Sequence, residues 1–190
     1  MRARLMDATI DLLVEKGFAG TTTTLVSERA GVSRGAQLHH FPTKNDLVVA
    51  AVAHLTEKRA AELEAAVSRL PEGRNRTHAV VEMLGEHFSS PVFTAALELW
   101  VAARTDPTLL EAVAPLEQLV GRETHRMTVH LLDADESQPG VRELVQATLD
   151  LVRGLGLANT ISDDAKRRRR ILAQWSRTLD AALDRTGAER

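Results

Sequence analysis

The sequence predicts an all-α protein, and three observations carry that expectation. Apolar residues recur at intervals of three and four through most of the chain, as they do on a helix with one buried face. Alternation at every second position, the mark of a half-buried strand, is hard to find. Glycine, proline and short hydroxyl residues fall between the periodic stretches, where helices stop and start. The expected layout is an N-terminal domain of short helices over residues 1–50 and a larger helical domain over 51–190.

Leu5, Ala8, Thr9, Leu12 and Leu13 form one face of a first helix. It should end at Gly17, because glycine readily takes the left-handed conformation that closes a helix. Thr22 is placed to cap a second helix over about 23–30. Gly31-Val32 makes a tight turn, Ser33 caps a third helix over about 34–40, and Pro42 stops it. Thr43 caps a fourth helix from Lys44 to about Leu70, with Leu47, Ala51, Leu55, Ala61 and Leu63 on or near its buried side. Pro71-Glu72-Gly73-Arg74-Asn75-Arg76 is the clearest turn in the chain. Helices are expected at about 75–88 and 91–104, then at about 107–133, opened by Asp106-Pro107 and bent at Pro115. A loop over 134–140 precedes two last helices, at about 141–158 and 163–186. There is no internal repeat and no low-complexity tract.

Composition narrows the function classes. The chain has 190 residues, 26% of them charged and 44% hydrophobic, with a formal net charge of -2. That is the balance of an ordinary globular protein. It excludes a protein that binds nucleic acid by bulk positive charge. The absence of cysteine excludes a disulfide scaffold, a cysteine-ligated metal site and a cysteine nucleophile. The longest apolar stretch, Val92 to Ala103, is interrupted by Glu98 and falls short of the about 20 residues a bilayer requires. Acids at Asp7, Asp11 and Glu15 make the N-terminus unlike a signal peptide, so a cytoplasmic protein without membrane association is expected.

Two short helices joined at a glycine, the second opened by a serine cap, suggest a helix-turn-helix. In that motif the first helix braces on the DNA backbone and the second enters the major groove. The second helix here carries Ser33, Arg34, Gln37, Leu38, His39 and His40. Arginine can bind guanine through two hydrogen bonds, and glutamine can do the same to adenine. Thr22, Thr23 and Thr24 sit where free N–H groups, hydroxyls and the helix dipole favour a phosphate, and Lys44 opens the next helix. Such a turn also occurs in helical proteins that never meet DNA.

Residues 2–52 resemble the DNA-binding domain of the TetR family of bacterial transcriptional regulators. The resemblance is carried by Thr21-Thr22-Thr23, Val26-Ser27, Ala30-Gly31-Val32-Ser33-Arg34-Gly35, His39-His40-Phe41-Pro42-Thr43-Lys44 and Leu47. It implies that Arg34, Gly35 and Ala36 face bases, that Leu38 and His39 stand where an aromatic pair touches phosphate and thymine methyls, and that Thr22, Thr23 and Lys44 contact phosphate. Two positions depart from the family, which usually has leucine then tyrosine where this chain has Gln37 then Leu38. Either Leu38 takes over the packing, or Gln37 is hydrogen-bonded inside, which leaves open which of the two faces DNA. Residues 1–50 hold six Lys and Arg against five Asp and Glu, so affinity must come from local placement, doubled in a dimer.

The last two helices have broad apolar faces: Val141, Leu144, Val145, Thr148, Leu149, Val152 and Leu155, then Ile171, Leu172, Trp175, Leu179, Ala182 and Leu183. Such stripes either complete the core of one chain or close with a second copy into a four-helix bundle. The resemblance implies the dimer, with Leu144, Val145, Thr148, Val152, Leu155, Leu172, Trp175, Leu179 and Leu183 at the interface and a near-palindromic operator on double-stranded DNA. Phe93 to Val101 is apolar on nearly every side and belongs in the middle of a domain. Glu98 within it needs a partner, for which Arg122, His125 and Arg126 are candidates. One reading has Met83, His87, Phe88, Phe93, Leu97, Glu98, Trp100, Met127 and His130 lining a ligand cavity; the other makes them core residues around a structural ion pair.

Three further signals carry less than they promise. Gly31-Val32-Ser33-Arg34-Gly35 matches the G-x-S-x-G nucleophile elbow, but that chemistry needs a strand entering the turn. The histidine spacings do not place two ligands on one helix face, so neither metal nor cofactor is expected. Lys166-Arg167-Arg168-Arg169-Arg170 reads as a solvated helix end. The expected function is therefore a homodimeric repressor released from its operator by a small apolar or amphipathic molecule, with no enzyme activity. A ligand-independent DNA-binding protein, or a helical enzyme using the second domain, stand as alternatives.

Overall fold

A computed structural model of the chain describes residues 1–67, 70, 71 and 75–188, with the backbone alone at 59, 60, 62–64, 66, 67 and 184–188. The described residues form α1 (Arg2–Gly20), α2 (Thr23–Ala30), α3 (Arg34–His40), α4 (Lys44–Val67), α5 (Asn75–His87), α6 (Pro91–Ala103), α7 (Pro107–Leu132), α8 (Val141–Asn159) and α9 (Ala165–Ala188), with no strand among them. The fold is all-α, as the periodicity predicts. The turn expected at 71–76 lies partly outside the described residues, at 72–74.

The helix ends follow local chemistry. Thr22 Oγ1 accepts the Leu25 N–H at 3.3 Å, and Ser33 Oγ accepts the Ala36 N–H at 3.2 Å, so each caps its helix. Gly31 turns the chain between them at φ 60°, a conformation that costs glycine little. Thr43 and Asp46 cap α4 reciprocally: the Asp46 N–H donates to Thr43 Oγ1 at 3.0 Å, and the Thr43 N–H donates to Asp46 Oδ2 at 3.1 Å. Asp106 Oδ1 accepts the Leu109 N–H at 3.0 Å at the start of α7, which runs on through Pro115. The first helix breaks at Gly17, as expected, at φ 66° and ψ 178°, and a short helical piece beyond the kink carries α1 on to Gly20.

The chain packs as two units, Met1–Glu62 with Pro91–Val120, and Leu63–Ser90 with Gly121–Arg190. A boundary after residue 50 does not coincide with this packing. In the first unit Leu5, Leu12, Val26, Phe41 and Leu47 close the core of the N-terminal helices. Leu13, Val48 and Val52 then share a second core with Ala95 and Leu99 of α6 and Leu109 and Val113 of α7. The apolar belt of α6 is thus the reason that the segment packs with α1 and α4.

In the second unit α5 packs closely on α9. A Cβ at Gly85 would collide with the Leu172 side chain, so the missing side chain sets how near the two helices come. Thr77 donates to Asp180 Oδ1 at 2.8 Å across the same seam. Val145, Thr148, Val152, Leu155, Leu172 and Leu179 are buried within the single chain. Their stripes complete the interior of this unit, which corrects their expected place at a dimer interface. Leu144, Trp175 and Leu183 are only half-buried.

Candidate nucleic-acid interface

The short helix α3 divides its residues sharply. Arg34, Gly35, Leu38, His39 and His40 are exposed, with Leu38 at 44%, and Ala36 is half-buried. Gln37 is fully buried, and its Nε2 donates to the Phe41 carbonyl at 2.8 Å. Gln37 is therefore removed from the candidate DNA contacts: a hydrogen-bonded amide occupies the buried site and Leu38 faces outward. Among the described residues the Gln37 Oε1 has no hydrogen-bond partner. Arg34 and Leu38, four apart, share one outward stripe, and Gly35 and His39 share the next. Among the described residues a Cβ at Gly35 would meet nothing within 4 Å, so none of them requires a glycine there. Its bare backbone leaves room for close approach to a base edge. The His39 and His40 rings lie with centroids 5.5 Å apart at the end of this face.

The flanking groups suit phosphate. Thr22 is exposed at the N-terminus of α2, with Thr23 half-buried beside it, and the first turn of a helix favours an anion. Ser33 is exposed but occupied as a cap, which accounts for the elbow-like motif around it. Lys44, at the first turn of α4, is half-buried. Its ammonium donates to the Phe18 carbonyl at 2.5 Å and stands 4.0 Å from the centroid of the Phe18 ring. Burial pulls its pKa below the ordinary lysine value. An ammonium has three donors, so it can keep this anchor and still meet a phosphate. Sequence reasoning missed Phe18 in this role; the Gly17-Phe18 pair at the helix end is the trace it leaves.

Phe18 is held from its other side as well. Its N–H donates to Glu98 Oε2 at 3.1 Å. The partner of Glu98 is therefore a backbone amide of α1. Among the three expected cations, His125 instead pairs with Glu136 at 2.7 Å and Arg126 with Glu123 at 2.5 Å. Gly17 makes the Glu98 contact possible, because a Cβ there would lie 2.7 Å from Glu98 Oε2.

The candidate ligand residues fall in both units. In the first, Phe93 is buried and meets Trp100 edge-on at 6.1 Å, and Leu97 and Glu98 are half-buried. In the second, Phe88 is buried beneath the Arg153 guanidinium at 5.5 Å, while Met83, His87 and Met127 are half-buried. His130 is exposed to solvent, unlike the wall of a closed cavity. Of the basic run, Arg167 pairs with Asp164 in the loop before α9, and Arg168 bonds Asn159 at the end of α8.

Comparison with known proteins agrees with this geometry. Residues 5–51 match the family described as "Bacterial regulatory proteins, tetR family". The HTH-type transcriptional regulator CymR of Pseudomonas putida is 30% identical over 97% of this chain and 90% of its own. A putative transcriptional regulator from Pseudomonas aeruginosa PAO1 has the same fold, with a TM-score of 0.74 at 24% identity over 97% of this chain and 92% of its own. The multidrug binding protein EbrR, solved with imidazole, superposes with a TM-score of 0.60 at 25% identity, over 92% of this chain and 93% of its own. No described helix is long and apolar enough to cross a membrane. With the helix-turn-helix, the all-α fold and a relative aligned over nearly its whole length, this chain belongs to the tetR family of bacterial regulatory proteins and is a DNA-binding transcriptional regulator.

Proposed function

We propose that the protein is a homodimeric repressor that leaves a near-palindromic operator when a small apolar or amphipathic molecule binds. The observation that carries the DNA half is the outward face of α3, where Arg34, Gly35, Leu38 and His39 are exposed between a capped turn and the Lys44 ammonium. Residues 1–50 would read DNA, and residues 51–190 would bind the effector and the second copy. The effector half is supported by the likeness to EbrR, a multidrug binding protein.

For dimerisation, a shallow apolar groove on α8 and α9 formed by Leu151, Ile171 and Trp175 is the better candidate surface. It stands beside the buried stripes, and Trp175 is fixed there by its indole N–H, which donates to Thr148 Oγ1 at 3.0 Å. A two-fold dimer would match a near-palindromic operator. Effector action would be a shift between spacings of the two reading helices.

The test is DNA selection from a random pool by the purified protein, with Arg34→Ala and Ile171→Glu beside it. Loss of base discrimination of about 1–3 kcal/mol in the first supports direct readout. Conversion to a monomer with loss of tight binding in the second supports the dimer. Failure of the wild type to select any sequence overturns the reading.

A further inference from the structure

We propose that Glu98 on α6 is a positioning residue for the Lys44 phosphate contact, acting through Phe18. This rests on the reading that Lys44 meets DNA phosphate. Phe18 is gripped from two directions: its N–H donates to Glu98 Oε2 at 3.1 Å, while its carbonyl accepts from the Lys44 ammonium at 2.5 Å. Its ring faces the same ammonium at 4.0 Å. Lys44 therefore rests on a surface that Glu98 holds in place.

The arrangement is specific to the local backbone. Gly17 breaks helical geometry at φ 66°, which turns the Phe18 N–H out of the α1 ladder and toward the α6 carboxylate. A side chain at residue 17 would displace Glu98. The same corner carries the chain into the other phosphate-facing group. The Thr21 N–H bonds the Gly17 and Phe18 carbonyls at 3.2 and 3.3 Å, one residue before the Thr22 cap of α2. A lysine loses much side-chain freedom when it settles on one phosphate, and an ammonium already seated on a fixed carbonyl and ring has less to lose. Anything that draws α6 away from Phe18 removes that seating without touching DNA. Glu98 would thus pass a change in α6 to the DNA contact.

The test is a double-mutant cycle on full-length protein: wild type, Glu98→Ala, Lys44→Ala and the pair, with Glu98→Gln and Arg34→Ala as controls. Each is titrated on a DNA site selected by the wild type, across a salt series, with a thermal melt beside it. Lys44→Ala is expected to lower the logarithmic salt slope by about 0.9 for each phosphate that it leaves without a cation. Glu98→Ala should weaken binding about tenfold and lower the slope in the same direction. In the Lys44→Ala background it should add less than about twofold. Glu98→Gln keeps an oxygen that accepts the Phe18 N–H and should restore most of the affinity.

An equal effect of Glu98→Ala with and without Lys44, or an unchanged salt slope, overturns the proposal. So does a loss of binding that tracks a lowered melting temperature alone, or a Lys44→Ala variant that binds like the wild type. If Arg34→Ala is itself inert, the reading of α3 as the DNA interface falls. If Arg34→Ala weakens binding while the cycle is additive, only the role of Glu98 falls.

Discussion

The Glu98 carboxylate of α6 accepts the backbone N–H of Phe18 at 3.1 Å, a bond that joins positions 80 residues apart. It gives a half-buried acid on an apolar helix a partner without a countercharge. Charge-assisted bonds to backbone amides are stronger than neutral ones, and an unmet carboxylate in this setting would be costly.

Gly17→Ala is expected to be costly only partly for conformational reasons. The backbone at φ 66° and ψ 178° is one that essentially only glycine adopts, and it penalises a Cβ by about 1–3 kcal/mol. The remainder comes from Glu98, whose oxygen the new Cβ would meet at 2.7 Å. Gly17→Ala should therefore destabilise the wild type by about 1 kcal/mol or more beyond its cost in the Glu98→Ala background. Denaturant melts of the four proteins measure the difference; equal costs in both backgrounds would show that the carboxylate yields freely.

Gln37→Glu should be far more disruptive than its isosteric shape suggests. The Gln37 side chain is 0% exposed and donates to the Phe41 carbonyl. A carboxylate there loses that donor and faces the carbonyl oxygen unpaired. The expected loss is about 3 kcal/mol at neutral pH. Burial raises the folded-state pKa of the new acid above its unfolded value, so stability should be fullest below the unfolded pKa and fall as pH rises through the folded one. Urea midpoints across the acid range read the slope directly, and a pH-independent loss would contradict the burial of this site.

Gly85→Ala tests the α5–α9 seam. The added methyl would overlap Leu172, which is itself buried, so neighbours must shift. Overpacking of this kind costs about 1–3 kcal/mol. Leu172→Ala in the same chain should recover part of that cost by opening space. If Gly85→Ala instead stabilises, as alanine does in an unobstructed helix, the seam is looser than this geometry requires.

The Arg29 guanidinium bonds both oxygens of Glu15 at 2.9 and 2.8 Å, tying α2 to α1 at the exposed surface. Those hydrogen bonds lower the Glu15 pKa and raise that of Arg29. The contribution is then present above the unfolded carboxyl pKa and disappears as pH falls through the lowered one. Removing the carboxylate with Glu15→Gln should reduce stability slightly at neutral pH and leave it unchanged relative to wild type in strong acid. High salt should shrink the neutral-pH difference. A difference that persists in strong acid would argue against the ion pair.

What the sequence makes legible here is local. Thr22, Ser33 and Gly31 announce the helix-turn-helix because capping and left-handed turns depend on residues within one helical turn. Long-range partners leave no such trace. The interior position of Gln37 departs from a leucine pattern and is settled by its bond to Phe41. Glu98 had three plausible cations within reach in sequence, yet its partner is an amide freed by the break at Gly17. Likewise the stripes on α8 and α9 signal burial faithfully but not whether one chain or two provides it. Val145 and Leu179 are already enclosed, whereas Leu151 and Ile171 line an open groove.

The core shared by Leu13, Val48, Ala95, Leu99 and Val113 limits how this regulator can be rebuilt. Grafting residues 1–50 onto the effector domain of a relative would strip the cover from Leu13 and Val48, both 0% exposed in the intact chain. It would also leave Phe18 without Glu98. The portable cassette is discontinuous, residues 1–62 together with 91–120. A chimaera that respects those three junctions keeps its reading head intact; one cut after the helix-turn-helix must evolve a new α6 face before it can recognise DNA well.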